Sequence, residues 1–143
     1  MIEGHCFCVF VRYQADGPVS NRTNCHCSIC RRVSAAPCVA WFTVPKARFR
    51  ISSGELASFR SSARATRSFC PRCGTPLLFA ADDAPDELDV TIGSLNEPET
   101  MPPADHTWVS EKLPWLELGD GLPQYPEARP PAAAPEVKAP TAD

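Results

Sequence analysis

The stretch "FCPRCGTPL", Phe69 to Leu77, sets two cysteines at CxxC spacing with Gly74 directly after the second. A CPxCG turn lets two thiolates face one metal ion while backbone amides approach the sulfurs, and Gly accepts the positive φ that so tight a turn often needs. No βαβ pattern surrounds the pair, which argues against a thioredoxin-like redox motif. Cys70 and Cys73 therefore read as half of a closed four-ligand zinc site. The matching half is "GHCFC", Gly4 to Cys8. In an extended strand residues i and i+2 point to one face, so Cys6 and Cys8 can present both sulfurs together. A structural zinc on Cys6, Cys8, Cys70 and Cys73 would tie the first strand to the middle of the chain, and its binding would contribute directly to folding.

Working outward, "TNCHCSICRR" (Thr23 to Arg32) holds three further cysteines at CxCxxC spacing. Cys25, Cys27 and Cys30 can surround one ion at about 2.3 Å each and leave its fourth position open, the arrangement of a catalytic zinc. A thiol entering that corner loses its proton to the charge of the metal. Three thiolates leave the centre negatively charged, which suits exchange with an incoming thiolate, and Arg22, Arg31 and Arg32 are placed to offset that charge or hold a carboxylate. A fourth protein ligand is the alternative. Cys38 lies in a strand-like stretch where a buried thiol is commonplace. His26 points away from the metal in an extended segment and reads as a surface residue or one behind the ligands. His5 and His106 complete the candidates, with His106, beside Trp108, reading as a core or pocket residue.

A chain of 143 residues with 43% hydrophobic content is long enough for one ordinary domain. It has no run of about eighteen apolar residues, and "MIEGHCFCVF" lacks a signal-peptide pattern, so a cytoplasmic location is expected and no membrane partner. In that compartment the 8 cysteines are ligands or catalytic thiols rather than disulfides. Met1 to Cys73 carries 11 basic residues against 3 acidic ones, whereas the rest carries 3 against 14. The basic half suits a small anionic substrate; the acidic whole, at −3, argues against nucleic acid.

"FCVFVRYQ" (Phe7 to Gln14) and "CVAWFTV" (Cys38 to Val44) are rich in β-branched and aromatic residues and end at turn signals. "ARFRIS", "LASFRSS", "TRSFC", "PLLFAA" and "ELDVTIGSL" add five further short segments of strand character. The fold expected is mainly β, a compact single domain of short antiparallel strands bound to zinc, with at most a turn or two of helix in "SICRRVSA". It spans residues 1–126. From Glu127 to Asp143 the Pro- and Ala-rich sequence offers little to bury and reads as a disordered tail, with Tyr125 still able to dock.

The order "GHCFC…VRY", "CHCSICRR", "FCPRCGTPL" and "HTWVSEKLPW" resembles the family of glutathione-dependent formaldehyde-activating enzymes and centromere-protein-V-like proteins, from about Gly4 to Tyr125. The resemblance implies a zinc-bound β-fold, a structural zinc at Cys6, Cys8, Cys70 and Cys73, and a second, more labile zinc at Cys25, Cys27 and Cys30. It further implies joining of glutathione and formaldehyde into S-hydroxymethylglutathione, a carbon-sulfur lyase class of reaction. Two departures stand out: Val9 where Gly is common, and Asn96 where Asp is common.

The expected function is a zinc-dependent, carbon-sulfur lyase-like enzyme. It binds a thiol such as glutathione at the open zinc and adds it to formaldehyde or another small aldehyde. Trp41, Phe42, Trp108 and Trp115 are candidates for the pocket as well as for the core. The alternatives are a non-catalytic zinc module that binds a protein, and a methionine sulfoxide reductase-like enzyme, for which only Cys38 could serve as the free reactive thiol.

Overall fold

Ten strands and one short α-helix organise residues 1–131, the part of the chain that the computed structural model describes. In order they are β1 (Ile2–His5), β2 (Arg12–Ala15), β3 (Ser20–Cys25), α1 (Ser28–Ser34), β4 (Val39–Pro45), β5 (Phe49–Ser53), β6 (Ala57–Ser62), β7 (Ala65–Phe69), β8 (Pro76–Ala81), β9 (Glu87–Thr91) and β10 (Asp105–Thr107). One sheet has the order β1-β2-β5 and the other β10-β3-β4-β9-β8-β7-β6. The mainly β expectation holds, with one exception to antiparallel pairing: β10 runs parallel to β3. Parallel neighbours need a long crossover, and here the whole intervening chain supplies it. Among the described residues no helix is long and apolar enough to cross a membrane.

Alternation along β4 decides where the core and the candidate site lie. Phe42 and Val44 point to one face and are fully buried with Val11, Tyr13, Leu77 and Val90 between the two sheets. Each large side chain buried there contributes about 1.5–3 kcal/mol. Trp41 and Thr43 point to the opposite face and line a cavity. The neighbouring strand β9 repeats the division, with Leu88 and Val90 in the core and Asp89 in the cavity wall.

The sheets approach closely where Tyr13 crosses from β2 to hydrogen-bond Ser94, at 2.6 Å. Gly4 makes that crossing possible, since a Cβ there would lie 2.2 Å from Tyr13 Oη and 2.5 Å from the Ser94 carbonyl oxygen.

"FCVFVRYQ" is not one strand. Cys6 to Val11 forms a turn closed by Cys6 N–H to Val11 O and Val9 N–H to Cys6 O, both 3.0 Å, and β2 begins only at Arg12. Cys6 and Cys8 thus come together through a chain reversal, not through strand alternation. Strand β3, "SNRTNC", carries no apolar alternation to reveal it; it is a strand because β4 and β10 hydrogen-bond its two edges.

Tyr125 docks as expected: its N–H donates to His106 O at 2.9 Å. Glu127 and Arg129, expected in the tail, are held against the fold. Trp108 N–H donates to Glu127 O at 3.0 Å, and the Arg129 side chain is buried against Asp105 while Nη1 donates to Asn21 Oδ1 at 2.6 Å. A buried ion pair and backbone bonds hold these residues where composition alone offers no reason for order. The expected tail from 132 to 143 lies outside the described residues.

Candidate metal centre

The structure brings seven of the eight cysteines into two clusters and leaves Cys38 apart. Cys6, Cys8, Cys70 and Cys73 have all four sulfurs within 4.8 Å of one another. A tetrahedral zinc with Zn–S of about 2.3 Å separates its sulfurs by about 3.8 Å. Cys6 to Cys8 measures 3.6 Å and Cys8 to Cys70 3.8 Å, so the donor set fits zinc.

Two turns aim these sulfurs. In the second, Gly74 has φ 79° as the motif predicts, and its N–H closes onto Cys70 O at 2.9 Å. Amides turn inward as well: Val11 N–H donates to Cys6 Sγ at 3.3 Å and Arg72 N–H to Cys70 Sγ at 3.4 Å. Such bonds favour the thiolate form that a metal requires. The Cys73 thiol is pulled down to about 5, chiefly by the Thr75 hydroxyl at 3.1 Å. Cys8 is drawn down by the Phe10 amide, but desolvation and the neighbouring sulfurs outweigh it and push the thiol up to about 11. In the first turn Val9 has φ 65°, the left-handed region that a β-branched residue resists. A sequence with Gly at this position meets the turn without strain, which explains why this departure matters.

Cys25, Cys27 and Cys30 form the second cluster, again within 4.8 Å of one another. Cys25 ends β3, Cys27 caps α1, and Cys30 lies in its first turn, so a strand-to-helix corner gathers them. Cys30 N–H donates to Cys27 Sγ at 3.2 Å, satisfying one of the helix's free amides. Hydrogen bonds from the Cys25 and Cys30 thiols pull Cys27 down to about 2. The same sharing, first with Cys27 and then with Cys30, together with burial, pushes Cys25 up. Cys30 also rises, since Cys27 and desolvation outweigh the lowering bond with Cys25 and the charge of Arg67.

Among the described residues no other His, Cys, Asp or Glu joins this cluster. His26 lies between two of its cysteines yet outside it, and it is not a surface residue: it is fully buried, with Nε2 2.9 Å from His106 Nδ1. Cys38 stands alone and half-buried, its thiol pushed up by desolvation, which disfavours the reactive thiolate a sulfoxide reductase-like reading needs.

The cluster opens on a cavity of about 550 Å³, within the range of small-molecule sites. Trp41, Phe79 and Trp108 form apolar walls. Of the other expected aromatics, Phe42 is in the core and Trp115 is 69% exposed. The arginines also differ from expectation, because Arg22, Arg31 and Arg32 do not line the cavity and Arg31 instead bonds Glu111 O at 3.0 Å. Arg67 takes their place. It is buried, its guanidinium lies 4.9 Å from the Phe79 ring centre and 5.8 Å from that of Trp41, and Nη2 reaches Cys30 Sγ at 3.4 Å. Its signal in the sequence is a charge on the face of "ATRSF" that Ala65 shares. Asp89, opposite, accepts from Thr43 at 2.5 Å, and burial pushes its carboxyl up to about 6. Asn96, by contrast, is exposed beside Glu3 and does not line the cavity, so its departure from the family pattern leaves this site untouched.

The family model described as "Glutathione-dependent formaldehyde-activating enzyme" matches residues 1–111. A protein of Schizosaccharomyces pombe named as an uncharacterized lyase is 34% identical over 79 residues, covering 54% of this chain and 56% of that protein. The match thus spans about half the length of that relative. A crystal structure of a Rhodobacter sphaeroides protein superposes with a TM-score of 0.57 at 19% identity, covering 86% of this chain and 98% of the other, which shows a shared fold. The chain belongs to the family of glutathione-dependent formaldehyde-activating enzymes.

Proposed function

We propose that this protein is a carbon-sulfur lyase-like enzyme that binds a thiol, glutathione in the first instance, at a metal held by Cys25, Cys27 and Cys30 and joins it to formaldehyde or another small aldehyde. One observation carries the reading: a cluster of three cysteines, without a fourth ligand among the described residues, opens on a cavity of about 550 Å³. Zinc bound there supplies the positive charge that keeps an entering thiol in its nucleophilic thiolate form.

The chain's own residues supply the rest. Arg67 offsets the negative charge of the three sulfurs and is held against the edge-to-face pair of Trp41 and Phe79. Trp41, Phe79 and Trp108 exclude water from the sulfur that attacks, which strengthens every charge interaction in the cavity. Arg67 and Asp89 offer the opposite charges that a peptide thiol with carboxylates and an ammonium requires. Cys6, Cys8, Cys70 and Cys73 hold a second zinc that stabilises the fold. Eight free thiols fit a reducing, cytoplasmic setting.

The test follows adduct formation in a mixture of zinc-loaded protein, glutathione and formaldehyde against the uncatalysed background. A rate above background that saturates in glutathione is expected. No excess rate with two zincs verified per chain rejects formaldehyde as the substrate.

A further inference from the structure

Behind the second cluster, on the side away from the cavity, three polar side chains form an unbroken line from the surface to the residue between Cys25 and Cys27. Asp120 Oδ2 lies 2.7 Å from His106 Nε2, and His106 Nδ1 lies 2.9 Å from His26 Nε2. Both histidines are buried, at 3% and 0% exposure. Asp120 is itself held, accepting from Leu122 N–H at 3.1 Å through its other oxygen.

Hydrogen-bond chemistry gives this line a direction. An ionised carboxylate only accepts, so His106 Nε2 carries the proton. A ring that carries a single proton, on Nε2, accepts at Nδ1 from His26 Nε2–H. His26 Nδ1 is left buried with no partner. Backbone bonds brace the same place, with His26 N–H donating to Thr107 O at 3.0 Å and Cys25 paired with Thr107 between β3 and β10. The imidazole of His26 is therefore pinned both along its ring and through its main chain. Since Cys25 and Cys27 line the cavity and His26 does not, the side chain pinned is the one facing backwards from the pair.

We propose that Asp120, His106 and His26 are positioning residues: the line of hydrogen bonds locks the Cys25–Cys27 turn with its sulfurs converging, and so sets the affinity of the second metal. The proposal rests on the reading that Cys25, Cys27 and Cys30 hold a metal. It also assigns a role to a residue beyond the part of the chain that the family model matches, because that match ends at 111 and the line begins at Asp120. Removing the carboxylate leaves the tautomer and tilt of His106 unfixed, so the His106–His26 bond is no longer held in one direction and the turn loosens.

Cobalt(II) titration of the full-length metal-free protein, refolded with metal, tests this through the thiolate-to-cobalt absorption. The wild type is expected to take up two equivalents. Asp120→Ala, at a site 43% exposed, is expected to bind the second equivalent about tenfold more weakly with the first unchanged. Asp120→Asn, whose amide oxygen still accepts from Nε2–H, is expected to recover most of that loss. Wild-type affinity for both equivalents in Asp120→Ala overturns the proposal. Equal weakening of both equivalents overturns it too, because the effect is then on the whole fold. A wild type that binds a single equivalent overturns the metal reading of the second cluster, and the proposal with it.

Discussion

Arg67 Nη2 lies 3.4 Å from Cys30 Sγ, so a buried guanidinium sets a fixed positive charge directly against the three-cysteine cluster. It reaches there from β7, with its Nε held by Ser61 at 3.1 Å. Arg67→Gln is expected to lower the rate of thiol addition to the aldehyde about tenfold to a hundredfold while zinc content stays at the wild-type value, because it removes fixed charge from a water-poor site. Arg67→Lys retains charge but loses the planar contact with Trp41 and Phe79, so its rate falls between the two. Parallel rate and zinc measurements on both variants check the ordering.

The two clusters are expected to respond differently to loss of one sulfur. Cys27→Ser should remove about one zinc per chain and leave a cooperative thermal transition, because α1 and β3 keep their backbone partners. Cys73→Ser removes a ligand from the site that fastens the Cys6–Val11 turn to the β7–β8 turn, and should abolish the folded signal in near-ultraviolet circular dichroism. A chelator should reproduce the second result only after it has removed both metals.

Val9 occupies a left-handed conformation beside Cys8. Such a backbone costs a β-branched residue about 1–3 kcal/mol, and Gly returns part of that as unfolded-chain entropy. Val9→Gly is expected to stabilise the protein by about 1 kcal/mol, a rise of roughly 3–5 °C in Tm. A Tm equal to or below the wild-type value contradicts this account of the turn.

Asp89 yields a pH dependence. Its folded pKa is raised from 3.8 to about 6, so the stability it contributes is fully present below pH 4 and is lost as the pH rises through 6. At pH 8 the charged carboxylate is held at a desolvated position, which Asp89→Asn relieves. The variant should therefore exceed the wild type by on the order of 2 kcal/mol at pH 8, and the gap should close toward pH 4. Denaturant melts of both proteins at the two pH values measure it.

Much of the candidate site was legible because cysteine ligand spacing is a local property. A CxxC turn with Gly after it places two sulfurs whatever the rest of the chain does, and Gly74 takes the φ that the motif requires. Strands rich in β-branched and aromatic residues, such as β4, announced themselves for the same reason. Strand β3 did not, since its polar "SNRTNC" is made a strand by β4 and β10 on its two edges, both of which come later in the chain.

The sequence by itself determined the pairing of thiols into a group of four and a group of three that could each hold a metal ion, and the β-rich character of the protein. Only the tertiary structure decided what surrounds the sulfurs. Arg67, Asp89, His106 and Asp120 come from β7, β9, β10 and the segment after it, far apart along the chain from Cys25. Their charge and hydrogen bonds gain force from burial, and burial arises only when distant strands close over one another.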